Sequence, residues 1–292
     1  MAKYRETPMT AEDLTEYVTN QDDFGLELFV YSKARELGLQ ATHGGTYIDP
    51  ITEKPRQYDV RASAAKLNRR IDLAIECKSL KPSYPLLISR IPRIAEESFH
   101  QIVWSFKSEP SALRLGGSFG ASVVKHLTLR RDVYFYPEGM PVGKSTTQVG
   151  RNIQDGFITG DADVYDKWTQ ALGSSAALIR QAANRPEEDS DDTISSAILP
   201  VLVVANDTLW VADYSEDGTL INHPRQVNET TLFVGRRYQS PMSFGGPFII
   251  SHLHICTKAG IEALLTKIAS DNSYWELLFP QREILNAAAE SN

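Results

Sequence analysis

The chain has only two cysteines in 292 residues, Cys77 and Cys256. Two thiols make no disulfide framework, which fits a reducing compartment. No apolar run approaches the roughly 18–20 residues that span a bilayer. The first residues, Met-Ala-Lys-Tyr-Arg-Glu-Thr, lack the apolar core of a signal peptide. These absences point to a cytoplasmic chain with no membrane partner. Positive charge is not in excess either: the net charge is −7. Internal repeats are missing, and the aromatic residues are scattered, with no stacking platform for single-stranded bases. At 42% hydrophobic and 23% charged, the composition is that of a globular protein, not a disordered one.

What charge there is lies unevenly. Residues 54–93 hold ten Lys or Arg against three acids, Asp59, Asp72 and Glu76, so that segment is +7 and the remainder −14. A basic patch around an acidic cluster suits a phosphate backbone approaching bound metal. A solvated basic face is the alternative.

The same segment alternates with period two. Ile71, Leu73, Ile75 and Cys77 point one way; Arg70, Asp72, Ala74, Glu76 and Lys78 point the other. Upstream, Tyr58, Val60 and Ala62 share one face and Gln57, Asp59 and Arg61 the opposite one. The pattern predicts two half-buried strands joined as a hairpin, with one apolar face and one carrying carboxylates and a lysine. Carboxylates on rigid strands can hold Mg²⁺, which prefers oxygen ligands and keeps several waters. Lys78, two residues past Glu76, projects from the same face and can serve an attacking water or a phosphate.

Before the hairpin, a helix is predicted from Asp22 to Leu37, with Asp22 or Asp23 as its cap and Phe24, Leu28, Tyr31 and Ala34 on one stripe. Glu27 falls on that stripe, where a carboxylate needs a partner. Thr46–Ile48 reads as a strand. Residues 94–107 read as helical, Asp132–Tyr136 as a short strand and 137–160 as loop. A helix over Ala162–Ala183 follows, then an acidic loop from Arg185 to Asp192. Ile198–Val204 is a continuous apolar run, the mark of a strand buried on both faces. Leu209–Tyr214 and Phe248–Cys256 read as strands and Lys258–Ile268 as a helix.

An acidic residue ending one strand and Glu-x-Lys on the next, here Asp59 and Glu76-Cys77-Lys78 with sixteen residues between, resembles the PD-(D/E)XK nucleases, the restriction-endonuclease-like superfamily. Tyr58 stands where many members have proline. The resemblance implies an α/β fold: a central mixed β-sheet flanked by helices, with an αβββαβ core over about 22–80 and 160–205. Residues 81–160 would be a long insertion and 206–292 a C-terminal strand–helix extension, all in one elaborated domain, 1–292. It implies a Mg²⁺-dependent endonuclease, Mn²⁺ able to substitute, hydrolysing phosphodiesters in double-stranded DNA, as in a restriction or defence system. Asp59 and Glu76 would bind metal, with Glu27 and the Cys77 backbone carbonyl assisting, and Lys78 would serve catalysis. Arg61, Lys66, Arg69 and Arg70 would contact nucleic acid. Cutting both strands implies a homodimer or sequential nicking, and partner subunits would supply recognition. A catalytically inactive nucleic-acid-binding relative is one alternative.

A serine hydrolase is the other. His43-Gly44-Gly45 and Gly116-Gly117-Ser118-Phe119-Gly120 mimic an oxyanion loop and a nucleophile elbow around Ser118, though glycines after a helix end also serve as caps. Gly143-Lys144-Ser145-Thr146 resembles the end of a phosphate-binding loop, but its spacing from Gly139 is one residue short. His252, His254 and Cys256 share one strand face without a fourth zinc ligand.

Overall fold

Local signals start the first helices. The Thr10 hydroxyl accepts from the Asp13 N–H and the Asp13 carboxylate accepts from Thr10 N–H, a capping box that opens α1 (Ala11–Asn20). Next comes α2 (Phe24–Glu36), which buries Leu26, Val30 and Ala34. This corrects the expected stripe: Phe24 is 50% exposed, because the Leu26 side packs with Val60, Ile75 and Cys77.

The protein is seen as a computed structural model that describes residues 6–107, 122–130, 135–184, 194–239 and 246–279. After α2 come β1 (Gln40–Ile48), β2 (Pro55–Lys66), β3 (Arg69–Lys78), β4 (Leu86–Pro92), β5 (Phe99–Lys107), β6 (Ser122–Arg130), β7 (Pro141–Arg151) and β8 (Phe157–Gly160). Then follow α3 (Ala162–Ala183), β9 (Ile194–Val204), β10 (Leu209–Asp213), β11 (Arg225–Gln226), β12 (Glu229–Tyr238), β13 (Phe248–Thr257), α4 (Lys258–Ser270) and α5 (Asn272–Leu278).

All the strands join one mixed sheet in the order β1-β2-β3-β9-β13-β12-β7-β4-β10-β11, with β5 and β6 branching from β9 and β8 from β7. The first three strands form an antiparallel meander. β3 then runs parallel to β9 over its whole length. A parallel pair needs a crossover, and α3 lies within it. β9 is buried from Ser195 to Val204, as its apolar run implies. No helix among the described residues is long and apolar enough to cross a membrane.

Several expectations give way. Phe99–Lys107 is a strand, not a helix: it pairs with both β6 and β9. Residues 137–160 hold β7 and β8 instead of loop, so residues 81–160 add strands to the central sheet. The described part of Asp132–Tyr136, Phe135 and Tyr136, is a turn. Ser118 with its glycines and the acidic loop after Arg185 lie outside the described residues. His43-Gly44-Gly45 sits inside β1, not at a helix end.

The hairpin is not half-buried. Asp72, Ala74 and Glu76 are as buried as Leu73 and Ile75. α3 crosses that face, and it can come close because Gly173, Ser174 and Ser175 are small. A Cβ at Gly173 would stand only 3.0 Å from the Tyr47 hydroxyl.

The β1–β2 ladder skips one pair. His43 faces Val60 and Gly45 faces Tyr58, but Gly44 and Asp59 are left unpaired between them. Gly44 has φ +63°, a left-handed conformation that glycine adopts freely. Side chains change sides across this break. Tyr58 was expected beside Val60; instead the Arg61 guanidinium lies 4.2 Å over its ring. Gly44→Ala should cost about 1 kcal/mol from backbone strain alone, since open space surrounds the position of its Cβ. Urea titration would show it as a lower midpoint with an unchanged slope.

Candidate active site

The hairpin register puts Val60 opposite Ile75 and Arg61 opposite Ala74, which carries Asp59 to the place facing Glu76. The Asp59 carboxylate accepts a 2.8 Å hydrogen bond from the Cys77 N–H. That is the contact Cys77 makes here; its thiol is buried on the α2 side of the sheet.

Glu76 is fully buried, and among the described residues neither of its carboxylate oxygens has a hydrogen-bond partner. Its pKa is pushed well above the usual carboxylate range, first by burial and then by the charge of Asp59. Buried carboxyl groups without partners are costly and tend to mark functional sites.

The cation nearest these acids comes from α3, not the hairpin. Lys167 Nζ is 2.8 Å from Asp59 Oδ2, 3.8 Å from Glu76 Oε2 and 3.8 Å from Asp23 Oδ2. Burial alone would lower its pKa, but Asp59 outweighs that, with Glu76 and Asp23 adding to it, and the ammonium is held above its usual value. Lys78, the lysine of the hairpin motif, is 3.6 Å from Asp23 Oδ2 at the edge of the group.

Asp23 occupies the N-cap position of α2 yet makes no side-chain cap. Its carboxylate accepts from the Ser79 N–H at 2.6 Å instead, which ties the start of α2 to the end of β3. One turn on, Glu27 meets His43 Nε2 at 2.9 Å. Burial and the Asp59 charge raise the Glu27 pKa, while His43 and Lys167 oppose the shift. The stripe position of Glu27 thus has the partner it needs.

Sequence reasoning missed Lys167 and gave Asp23 and His43 other roles. Nothing local marks Lys167: it is a lysine on an amphipathic helix, placed by a crossover more than a hundred residues from Asp59. Spacing gave a hint for Asp23, four residues before Glu27 and so on the same helical face.

The proposed nucleic-acid contacts divide between the two faces of the sheet. Lys66 donates to Asn272 and lies over the Trp275 ring; Arg69 lies over Phe279. Arg61 and Arg70 are on the α3 side. Arg70 pairs with Asp72, and Arg61 donates to Ser174, with no carboxylate in ion-pair contact among the described residues. With Arg180 they line a cavity of about 620 Å³ between α3 and β1. Arg90 and Arg93, counted in the +7 segment, are buried and belong to no surface patch.

Among the described residues, no three His, Cys, Asp or Glu side chains are grouped to hold a metal ion. Glu76 and Asp59 nevertheless fit one in chemistry: two hard oxygen donors on adjacent strands, those of Glu76 accepting no hydrogen bond among the described residues. Comparison of the chain with family models, with curated proteins and with solved structures gave no match.

Proposed function

We propose that this chain is a Mg²⁺-dependent nuclease acting on DNA. The observation that carries the reading is the buried Glu76 carboxylate, without a hydrogen bond among the described residues, facing Asp59. The order α2, β1, β2, β3, α3, β9, with β3 parallel to β9, supports a restriction-endonuclease-like core. Asp59 and Glu76 would hold the metal, which supplies charge neutralisation and a more acidic water when bound. Glu27, steadied by His43, would accept a proton from that region. Lys167 would neutralise charge at the phosphate, and Lys78, anchored to Asp23, would play a lesser part. Arg61, Arg70 and Arg180 would carry the backbone beyond the site.

A second reading, a relative that grips nucleic acid without cutting it, is favoured by one observation. Lys167 Nζ already sits among the three carboxylates as their cation.

One experiment separates the two. Plasmid DNA is incubated with wild type and with Asp59→Asn, in Mg²⁺ or in chelator. Cleavage by wild type in Mg²⁺ alone supports the nuclease. Retarded but intact plasmid favours the second reading. Equal cleavage by both proteins would sink the site assignment.

A further inference from the structure

The other half of the sheet holds a second polar cluster, built around Arg93. Arg93 is 4% exposed. Nε donates to His252 Nε2 at 3.1 Å, Nη1 to the Pro137 carbonyl at 2.7 Å and Nη2 to Thr231 Oγ1 at 3.1 Å. A guanidinium carries five N–H groups, so two remain. The neighbouring charges are already balanced: Arg90 by Asp213, Lys267 by Glu229 and Lys144 by Glu97. Among the described residues no carboxylate lies within ion-pair distance of Arg93; the charge of Glu97 reaches it, but Glu97 is itself paired with Lys144. A buried charge without a counter-ion is costly.

Arg93 also borders a cavity of about 370 Å³. The cavity lies between β12–β13 and α4–α5, and its walls include Phe135, Tyr136, Leu264 and Tyr274. Met140, 56% exposed, stands at its rim. The volume is that of a small-ligand site. Its aromatic walls suit a flat ring. Among its described lining residues, Arg93 is the charge without a carboxylate in ion-pair contact.

We propose that this cavity binds a small organic anion with a flat ring, its anionic group held by Arg93. The site is separate from the Asp59–Glu76 group and stands whether or not the chain cuts DNA. His252 and His254, which looked like zinc ligands in sequence, serve here as neutral supports. His252 accepts from Arg93, and His254 meets the Tyr136 hydroxyl at 2.7 Å.

Calorimetric titration of the full chain tests this with three probes: benzoate, adenosine monophosphate and inorganic phosphate. One of the two ring-bearing probes should bind once per chain, and which one does so tells a carboxylate head from a phosphate head. It should bind at least about tenfold more tightly than inorganic phosphate, because only the ring buries apolar surface. Met140→Trp, a change at an exposed position, should block the cavity and abolish binding while leaving the melting temperature unchanged. Arg93→Met should weaken binding at least about tenfold, the loss of a charge-assisted hydrogen bond. If Arg93→Met does not fold, Met140→Trp still decides. The proposal is overturned if neither ring-bearing probe binds, if inorganic phosphate binds as tightly, or if Met140→Trp binds as wild type does.

Discussion

Glu76→Gln should abolish DNA cleavage and make the protein more stable. The two effects share one cause. The wild-type carboxylate is sealed from water, lacks a hydrogen-bond partner and faces Asp59. Ionising it in the folded state is therefore unfavourable, and glutamine removes the charge with little change of shape. Relief of a buried carboxylate without a hydrogen bond, less the loss of its 3.8 Å ion pair with Lys167, is worth about 1 kcal/mol, and each kcal/mol raises the melting temperature by about 2–4 °C in a chain of this size. The gain depends on pH with a definite sign. Burial and Asp59 raise the folded-state pKa of Glu76 above its unfolded value. Its contribution to wild-type stability is thus present at low pH and lost as pH rises through the folded pKa. Thermal melts should show the variant's advantage at pH 8 and little of it at pH 5. Cleavage should fall more than about a hundredfold, because even groups behind a metal ligand cost about 10–100-fold. A variant that melts lower than wild type at pH 8 would refute this account of the site.

Removing Lys167 should have the opposite effect on stability. In Lys167→Met, three carboxylates lose the ammonium they surround. Breaking a buried ion pair by deleting one partner costs about 3–5 kcal/mol. Lys167 is 18% exposed, so about 2–3 kcal/mol is expected here. Two additions should restore much of the loss. Asp59→Asn in the same chain removes the nearest carboxylate charge. Mg²⁺ or Mn²⁺ should enter the place the ammonium leaves, stabilising by about 2.7 kcal/mol at a hundred times the dissociation constant. Melting curves of the single and double variants, with metal and with chelator, measure each part. A Lys167→Met protein as stable as wild type would show that the ammonium does not hold the group together.

Two buried histidines, His100 and His252, and the partly buried His254 give the stability a second pH dependence. Burial lowers the pKa of His100 and His254 to about 4 and that of His252 to about 2. Their neutral forms are favoured by folding. Stability should be whole above the unfolded pKa of about 6.5 and fall as the solution is acidified toward pH 4. By pH 5 each contributes a loss of about 2 kcal/mol. Denaturant titrations at pH 7, 6 and 5 would show the decline. His100→Phe should flatten part of it.

The hairpin was legible because its information is local. Strict alternation marked both strands, and the residues between them set the register that brings Asp59 to Glu76. The burial of its charged face was not legible, because the helix that covers it begins more than eighty residues later. β5 was misread for a related reason. It is buried on both sides from Phe99 to Trp104, so no alternation survives, and Phe99, Ile102, Val103 and Phe106 imitate a helical period. β7 failed the other way: Lys144-Ser145-Thr146-Thr147 is polar enough to pass for loop, yet it pairs with β4. Lys167 could be found only by knowing that α3 lies in the crossover from β3 to β9.

The break at Gly44 also matters outside the site. β1 is the outermost strand at its end of the sheet, and an edge strand offers its free backbone groups to any extended segment of another molecule. A straight edge would accept such a guest along its full length. With a left-handed residue in the middle, β1 presents two shorter stretches separated at Gly44. The break that leaves Asp59 unpaired in the ladder should therefore also make this edge a poorer template for sheet-to-sheet growth.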